Sequence, residues 1–288
     1  MTARRGGALL EIVVALPLIA LVLAVATALL LTQSRVTLTT SARAEAGSTL
    51  AHAAHVLAHD LRPLAGRDLV AWTDSSLHAD VPVLVAVSCG APAPNVIDVT
   101  TSPGTIDPLW HAPPLAGDAV RWAMPDTSVV GDRGTDTMRV SVALRDVTTA
   151  ASACAGSPLR GADAPLRLIL DAPPPDGAPV PPGVVIVVQR RIEWRAYRAA
   201  DGATWLGRRE RQGGVWTVMQ PAVGPFAHVV AGGVRVHVRR RDGTDASMGA
   251  MDAALVDIGL RALRRDRASD AIAHTDTLRV SVALRGGR

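Results

Sequence analysis

A chain of 288 residues leaves ample length for one globular domain beyond any anchor. Its 30 basic residues are all arginine and are interleaved with 26 acids, so the net charge is a modest +4. The absence of lysine excludes Schiff-base and Ser–Lys chemistry, and the two cysteines, Cys89 and Cys154, lack the spacing of a metal site.

The chain opens with MTARRGGALLEIVVALPLIALVLAVATALLL. A basic leader containing Arg4 and Arg5 ends in Gly6-Gly7. An apolar run over residues 8–31 follows, interrupted only by Glu11, Pro17 and Thr27. As a helix this run is long enough to cross a hydrocarbon core of about 30 Å. The arginines before it place the N-terminus in the cytoplasm and the remainder outside. A secretory signal carries its small-residue cleavage site after the apolar stretch, not before it. Nor does it carry an acid such as Glu11, because a charge in hydrocarbon costs about 2.5–3.5 kcal/mol.

This arrangement resembles the class III, prepilin-type signal of type IV pilins and type II secretion pseudopilins: glycine, a short interval, glutamate and a hydrophobic helix. The resemblance implies cleavage between Gly6 and Gly7 by prepilin peptidase, N-methylation of Gly7, and an assembly role for Glu11, then the fifth residue of the mature chain. In that family the carboxylate pairs with the α-ammonium of a neighbouring subunit. Two charges that are costly apart in lipid are tolerable together, which favours docking in one register. The chain departs from the pattern at Gly7, where the family usually has phenylalanine, and at Pro17, where it commonly has a small or branched apolar residue. A cut after Gly7 would leave Glu11 fourth, a poorer fit.

Helical character continues through the Ala-rich residues 32–61, and Leu50, Ala54, Leu57 and Leu61 form one apolar stripe. A helix from Ala8 to Leu61 is on the order of 80 Å long, and Arg62-Pro63 is its stop signal. His52, His55 and His59, followed by Asp60, lie opposite the leucine stripe. They read better as a solvated or inter-subunit face than as metal ligands, since no second ligand set is nearby.

Past Pro63 the pattern becomes one of short alternating runs. TDTMRVSVALRD, over 135–146, alternates Met138, Val140, Val142 and Leu144 with polar or small residues, which predicts a half-buried strand. A near-copy, TDTLRVSVALRG, occupies 275–286 and predicts a second strand in a similar sheet environment. Further strands are expected at 184–197, 204–209, 215–220, 233–240 and 255–263, with turns at Asp201-Gly202 and Asp242-Gly243. The proline-rich stretch DAPPPDGAPVPPG at 171–183 is an extended loop and the best candidate for an internal boundary. Cys89 and Cys154 fall in the part expected outside the cytoplasm. There a disulfide can persist, and two small buried thiols are the other reading.

In the second half, Tyr197, Asp201-Gly202, Leu206-Gly207-Arg208-Arg209, Arg241-Asp242-Gly243 and Val256-Asp257-Ile258-Gly259-Leu260 follow an order similar to that of the larger minor pilins and pseudopilins, those lettered W and J. The stretch 63–182 resembles no family. The resemblance implies an α+β, pilin-like fold: a long N-terminal helix packed on an antiparallel sheet. The expected organisation is a leader at 1–6, a transmembrane or filament-core helix at 7–34, its periplasmic half at 35–62 and a β-rich head at 63–288.

The implied function is that of a structural minor pilin or pseudopilin. It is processed by prepilin peptidase at the inner membrane and joined to other subunits through an assembly platform, near the tip of a type IV pilus or type II secretion pseudopilus. No nucleophile-elbow, zincin or phosphate-loop motif is present, so catalysis and cofactors are not expected. Arg190-Arg191, Arg208-Arg209, Arg239-Arg240-Arg241 and Arg264-Arg265 suggest an alternative, a basic head that binds DNA or polysaccharide. Without basic–aromatic interleaving, these arginines read more simply as charged strand faces that block edge aggregation.

Overall fold

The structure, a computed structural model, describes residues 5–100, 112–124, 137–150, 152–155, 157, 165–174, 177, 179–200, 202–228, 232–247, 252–265 and 272–285. It is an α+β molecule with one long N-terminal helix, α1 (Arg5–Leu61), and one large antiparallel sheet. At 1.5 Å per residue α1 is on the order of 85 Å long. It ends where Pro63 disfavours helical backbone at Arg62. Burial along α1 begins at Ala42 and continues through Ala46, Leu50, Ala53, Leu57 and Leu61, a spacing of three and four residues that keeps one stripe on the sheet. Ala53 fills the seam where the sequence pattern points to Ala54, which is only half-buried.

The head contains β1 (Leu69–Trp72), β2 (Ser76–Ala93), β3 (Val96–Thr100), β4 (Ala119–Met124), β5 (Thr137–Thr149), β6 (Leu166–Leu170) and β7 (Val185–Arg198). These are followed by β8 (Thr204–Gln212), β9 (Val215–Trp216), β10 (Gln220–Phe226), β11 (Val234–Arg240), β12 (Ala253–Arg265) and β13 (Ile272–Ala283). The long antiparallel ribbon β2–β7 runs from Ser76↔Arg195 to Val87↔Val185 and belongs to two layers. Over Ile192–Arg198, β7 pairs with β8, and the sheet continues through β10 and β12 beneath α1. Over 186–189 it pairs instead with β4.

The result is a closed circuit, β2-β3-β6-β5-β4-β7-β2, in which each strand is hydrogen-bonded to the next. Closure removes free edges and encloses a separate core of Ile97, Val99, Val120, Leu144, Leu168, Leu170 and Ile186, each fully buried. The helix-covered sheet has its own core, in which Leu57, Leu61, Leu77, Ile192, Phe226 and Ile258 meet. The proline-rich stretch leads from β6 to β7, two strands of the same circuit, and buries Val180 in the circuit's core.

The strands expected around 184–197, 204–209, 233–240 and 255–263 are present as β7, β8, β11 and β12. The run expected at 215–220 is instead split into β9 and the start of β10. Gly202 and Gly243 both hold positive φ, as the turns require; Asp201 lies outside the described residues. The near-identical strands β5 and β13 bury equivalent residues, Val142 and Leu144 in the first and Val282 and, one residue past its end, Leu284 in the second. Their environments nevertheless differ. β5 lies between β4 and β6 in the closed circuit, whereas β13 has β12 as its one strand partner among the described residues and packs against α1.

Candidate functional site

The N-terminal part of α1 is one continuous helix through Gly6, Gly7, Glu11 and Pro17. Glu11 lies four residues past Gly7, one turn along the same face. Its side chain is exposed, as is every side chain over residues 13–41. This is the one helix among the described residues long and apolar enough to cross a membrane, with a mean hydropathy of 2.8 in its best window. Its threonines satisfy themselves. Thr27 Oγ1 donates to Leu23 O at 2.7 Å and Thr32 Oγ1 to Ala28 O at 2.8 Å, so neither hydroxyl needs water.

The far end of α1 is fixed to the head by charge. Asp60 accepts from Arg208 Nε at 2.9 Å and from Trp194 Nε1 at 3.2 Å. Arg208 also pairs with Glu210, and Glu210 Oε2 accepts from Arg190 Nη1 at 3.1 Å. Arg190 then makes a two-toothed pair with Asp118, Nε to Oδ1 at 3.0 Å and Nη2 to Oδ2 at 2.9 Å. The ladder Asp60–Arg208–Glu210–Arg190–Asp118 alternates sign from helix to sheet to closed circuit. Burial disfavours the charge on Arg208 and Arg190, but the adjacent carboxylates more than offset it and hold both guanidiniums above their ordinary range. Burial likewise pushes Glu210 up, and the bonds from Arg208 and Arg190 reverse this and hold it below its ordinary value.

A second network sits on the ribbon. Arg121 bridges Asp68 at 2.9 Å and Asp80 at 3.3 Å, Arg191 grips Asp80 at 2.9 and 3.2 Å, and Gln189 Nε2 donates to Asp68 at 3.1 Å. Arg209 pairs with Glu193 and lies over the Trp216 ring, while Arg239 and Arg279 converge on Asp257. The arginine pairs therefore differ from exposed strand faces. Arg190 is only 3% exposed, and Arg191, Arg208, Arg209 and Arg239 are each matched to a carboxylate. The side chains of Arg264 and Arg265 lie outside the described residues.

Cys89 and Cys154 are joined as a disulfide with Cα atoms 5.2 Å apart, tying the end of β2 to the turn that follows β5. His52, His55 and His59 are exposed on α1, and His59 Nδ1 lies 3.4 Å from Asp60 Oδ1. Among the described residues no group of three His, Cys, Asp or Glu side chains converges to hold a metal. Asp118 and Glu210, the two carboxylates that flank Arg190 in the ladder, have no sequence motif to mark them. Their only signal is that each acid falls within reach of a strand carrying paired arginines. No family model, curated protein or solved structure matches the chain.

Proposed function

We propose that this chain is a minor pilin or pseudopilin, a structural subunit anchored in the inner membrane with its N-terminus cytoplasmic and its head outside. Prepilin peptidase would cut between Gly6 and Gly7 and methylate Gly7. The carboxylate of Glu11 would then pair with the α-ammonium of a neighbouring subunit, neutralising two charges that lipid tolerates poorly apart. The observation that carries the reading is the coincidence, on one helix, of a Gly-Gly junction, Glu11 one turn later, a wholly exposed apolar span and a second half packed on a sheet. In a filament, neighbouring helices would cover the span in place of lipid. The closed β-circuit adds bulk to the head, which favours a place at or near the tip, where no subunit lies above. Type II secretion pseudopilus and type IV pilus are equally served by this plan.

Mass spectrometry of the mature N-terminus from native membranes, with and without prepilin peptidase, tests the reading. A peptide beginning at N-methyl-Gly7 and lost without the peptidase is expected; a chain still beginning at Met1 would remove the filament pathway. Glu11→Val should insert into the membrane at least as well as the parent yet fail to join its partners. Labelled heads spread evenly along purified filaments would overturn the tip placement alone.

A further inference from the structure

Among the described residues β12 is the only strand partner of β13, so β13 forms one edge of the sheet. One bond fixes which backbone groups face outward. Leu284 N–H donates to Ala254 O at 2.9 Å, in register with Val282↔Val256 and Val280↔Ile258, so the even-numbered residues face β12. The odd-numbered residues face away. At one end Arg285 N–H donates to Leu64 O at 2.7 Å, and at the other Thr277 N–H is covered by its neighbour's carboxylate, Asp276 Oδ1, at 2.8 Å. Between these covers the N–H and C=O groups of Arg279, Ser281 and Ala283 meet no backbone partner among the described residues and present an open ladder, the feature that edge strands usually blunt.

A groove of about 680 Å³ runs between this edge and the last turns of α1. Its floor is apolar, from Ala54 and Ala58 on the helix and Val280 on the strand. His55, His59, Arg62 and Arg285 form the rim, and no carboxylate is among the lining residues. Arg62 and Arg285 are exposed and lie at the same end, where Arg285 N–H meets Leu64 O.

We propose that the groove accepts an extended segment of another polypeptide as an added strand on β13. The segment would be apolar at alternate positions and would carry a carboxylate at the end beside Arg62 and Arg285. Main-chain bonds to Arg279, Ser281 and Ala283 provide the pairing, the apolar floor takes every second side chain, and the cationic end selects for acid. The surface rests on the sheet edge and is independent of the filament reading, so each can fail without the other.

The test uses the full-length protein in detergent micelles, titrated with an alternating valine–threonine peptide bearing glutamate at both ends, and with its lysine-ended twin. The glutamate peptide is expected to slow amide exchange at Arg279, Ser281 and Ala283 and to bind at least about tenfold more tightly than the lysine peptide. Ala283→Pro removes an outward N–H that β12 does not use, a substitution edge strands tolerate, and should weaken the glutamate peptide by about tenfold. Arg62→Glu changes an exposed side chain outside the core and should shift the preference toward the lysine peptide. Absence of protection by either peptide, equal binding of the two by the parent, or an unmoved preference in Arg62→Glu overturns the proposal.

Discussion

Over residues 13–31 α1 exposes apolar side chains on every side, with Leu21 at 62% and Leu30 at 65%, whereas from Ala42 to Leu61 it buries a single stripe, half-buries the residues flanking it and exposes the opposite face. Outside residues 13–41, only Val185, Val215, Val218 and Leu278 among the described residues are large, apolar and exposed. The backbone is the same in both halves; only the distribution of apolar side chains around it differs. A helix apolar all round requires an apolar solvent on all sides, and a striped one requires one packed partner. The two halves therefore answer to different surroundings, and substitutions in one should leave the other's behaviour untouched.

The sharpest way to break that separation is Leu57→Ala. Leu57 is 1% exposed in the core beneath α1, and truncating such a leucine costs about 2–5 kcal/mol through lost burial and a residual cavity. Urea unfolding of the full chain in micelles, followed by tryptophan fluorescence, should show the midpoint fall while membrane insertion is unchanged. Leu23→Arg is the counterpart. A guanidinium in the middle of the span costs about 2.5–3.5 kcal/mol of insertion, so the fraction integrated in an insertion assay should drop while the head unfolds at the parental urea concentration. Any cross-effect would show that the halves are coupled.

The next variant asks whether the head itself is divided as the helix is. The Cys89–Cys154 bridge closes a separation of 65 residues and touches only the β-circuit. Its loss in a Cys89→Ser/Cys154→Ser variant should cost about 2–4 kcal/mol. If the circuit and the helix-covered sheet share one transition through the β2–β7 ribbon, the whole head melts earlier. If they are separate, exchange rates rise among Ile97, Val99 and Leu168 and stay low at Ile192 and Ile258.

Much of the helix was legible from sequence because its periodicity is simple: Leu50, Leu57 and Leu61 repeat at helical spacing and all three are buried. β11 was legible because it alternates between a covered and an open face, burying Val234, Val236 and Val238. The closed circuit was not. β7 buries Gln189, Arg190, Ile192, Glu193 and Trp194 almost in succession, since β2–β7 is walled on both faces, and alternation carries no signal there. Buried arginines compound the difficulty. Arg190 reads as a surface residue until Asp118 and Glu210 arrive from β4's start and from β8 to neutralise it. The ladder at Asp60 was not legible either, because it draws its partners from three distant segments, the start of β4, β7 and β8.

That ladder supplies the smallest predicted effect. It is also an electrostatic difference between the halves of α1, since Asp60 anchors only the second. Glu210 is held below its ordinary value of 4.5 by Arg208 and Arg190 against the opposing effect of burial. A carboxylate depressed in the folded state adds stability that is fully present above its unfolded value and is lost as pH falls toward its folded value. The head should therefore weaken as the pH falls through and below the ordinary carboxylate value of 4.5, with the span's insertion unaffected. Part of the Glu210 side chain faces water, which screens the pair, so its share is about 1 kcal/mol or less. Glu210→Gln should be less stable than the parent at pH 7 and should flatten this part of the profile. A Glu210→Gln profile as steep as the parental one would assign the acid sensitivity to another carboxylate, with Asp257, also held low by Arg279 and Ser281 against its burial, the next to replace.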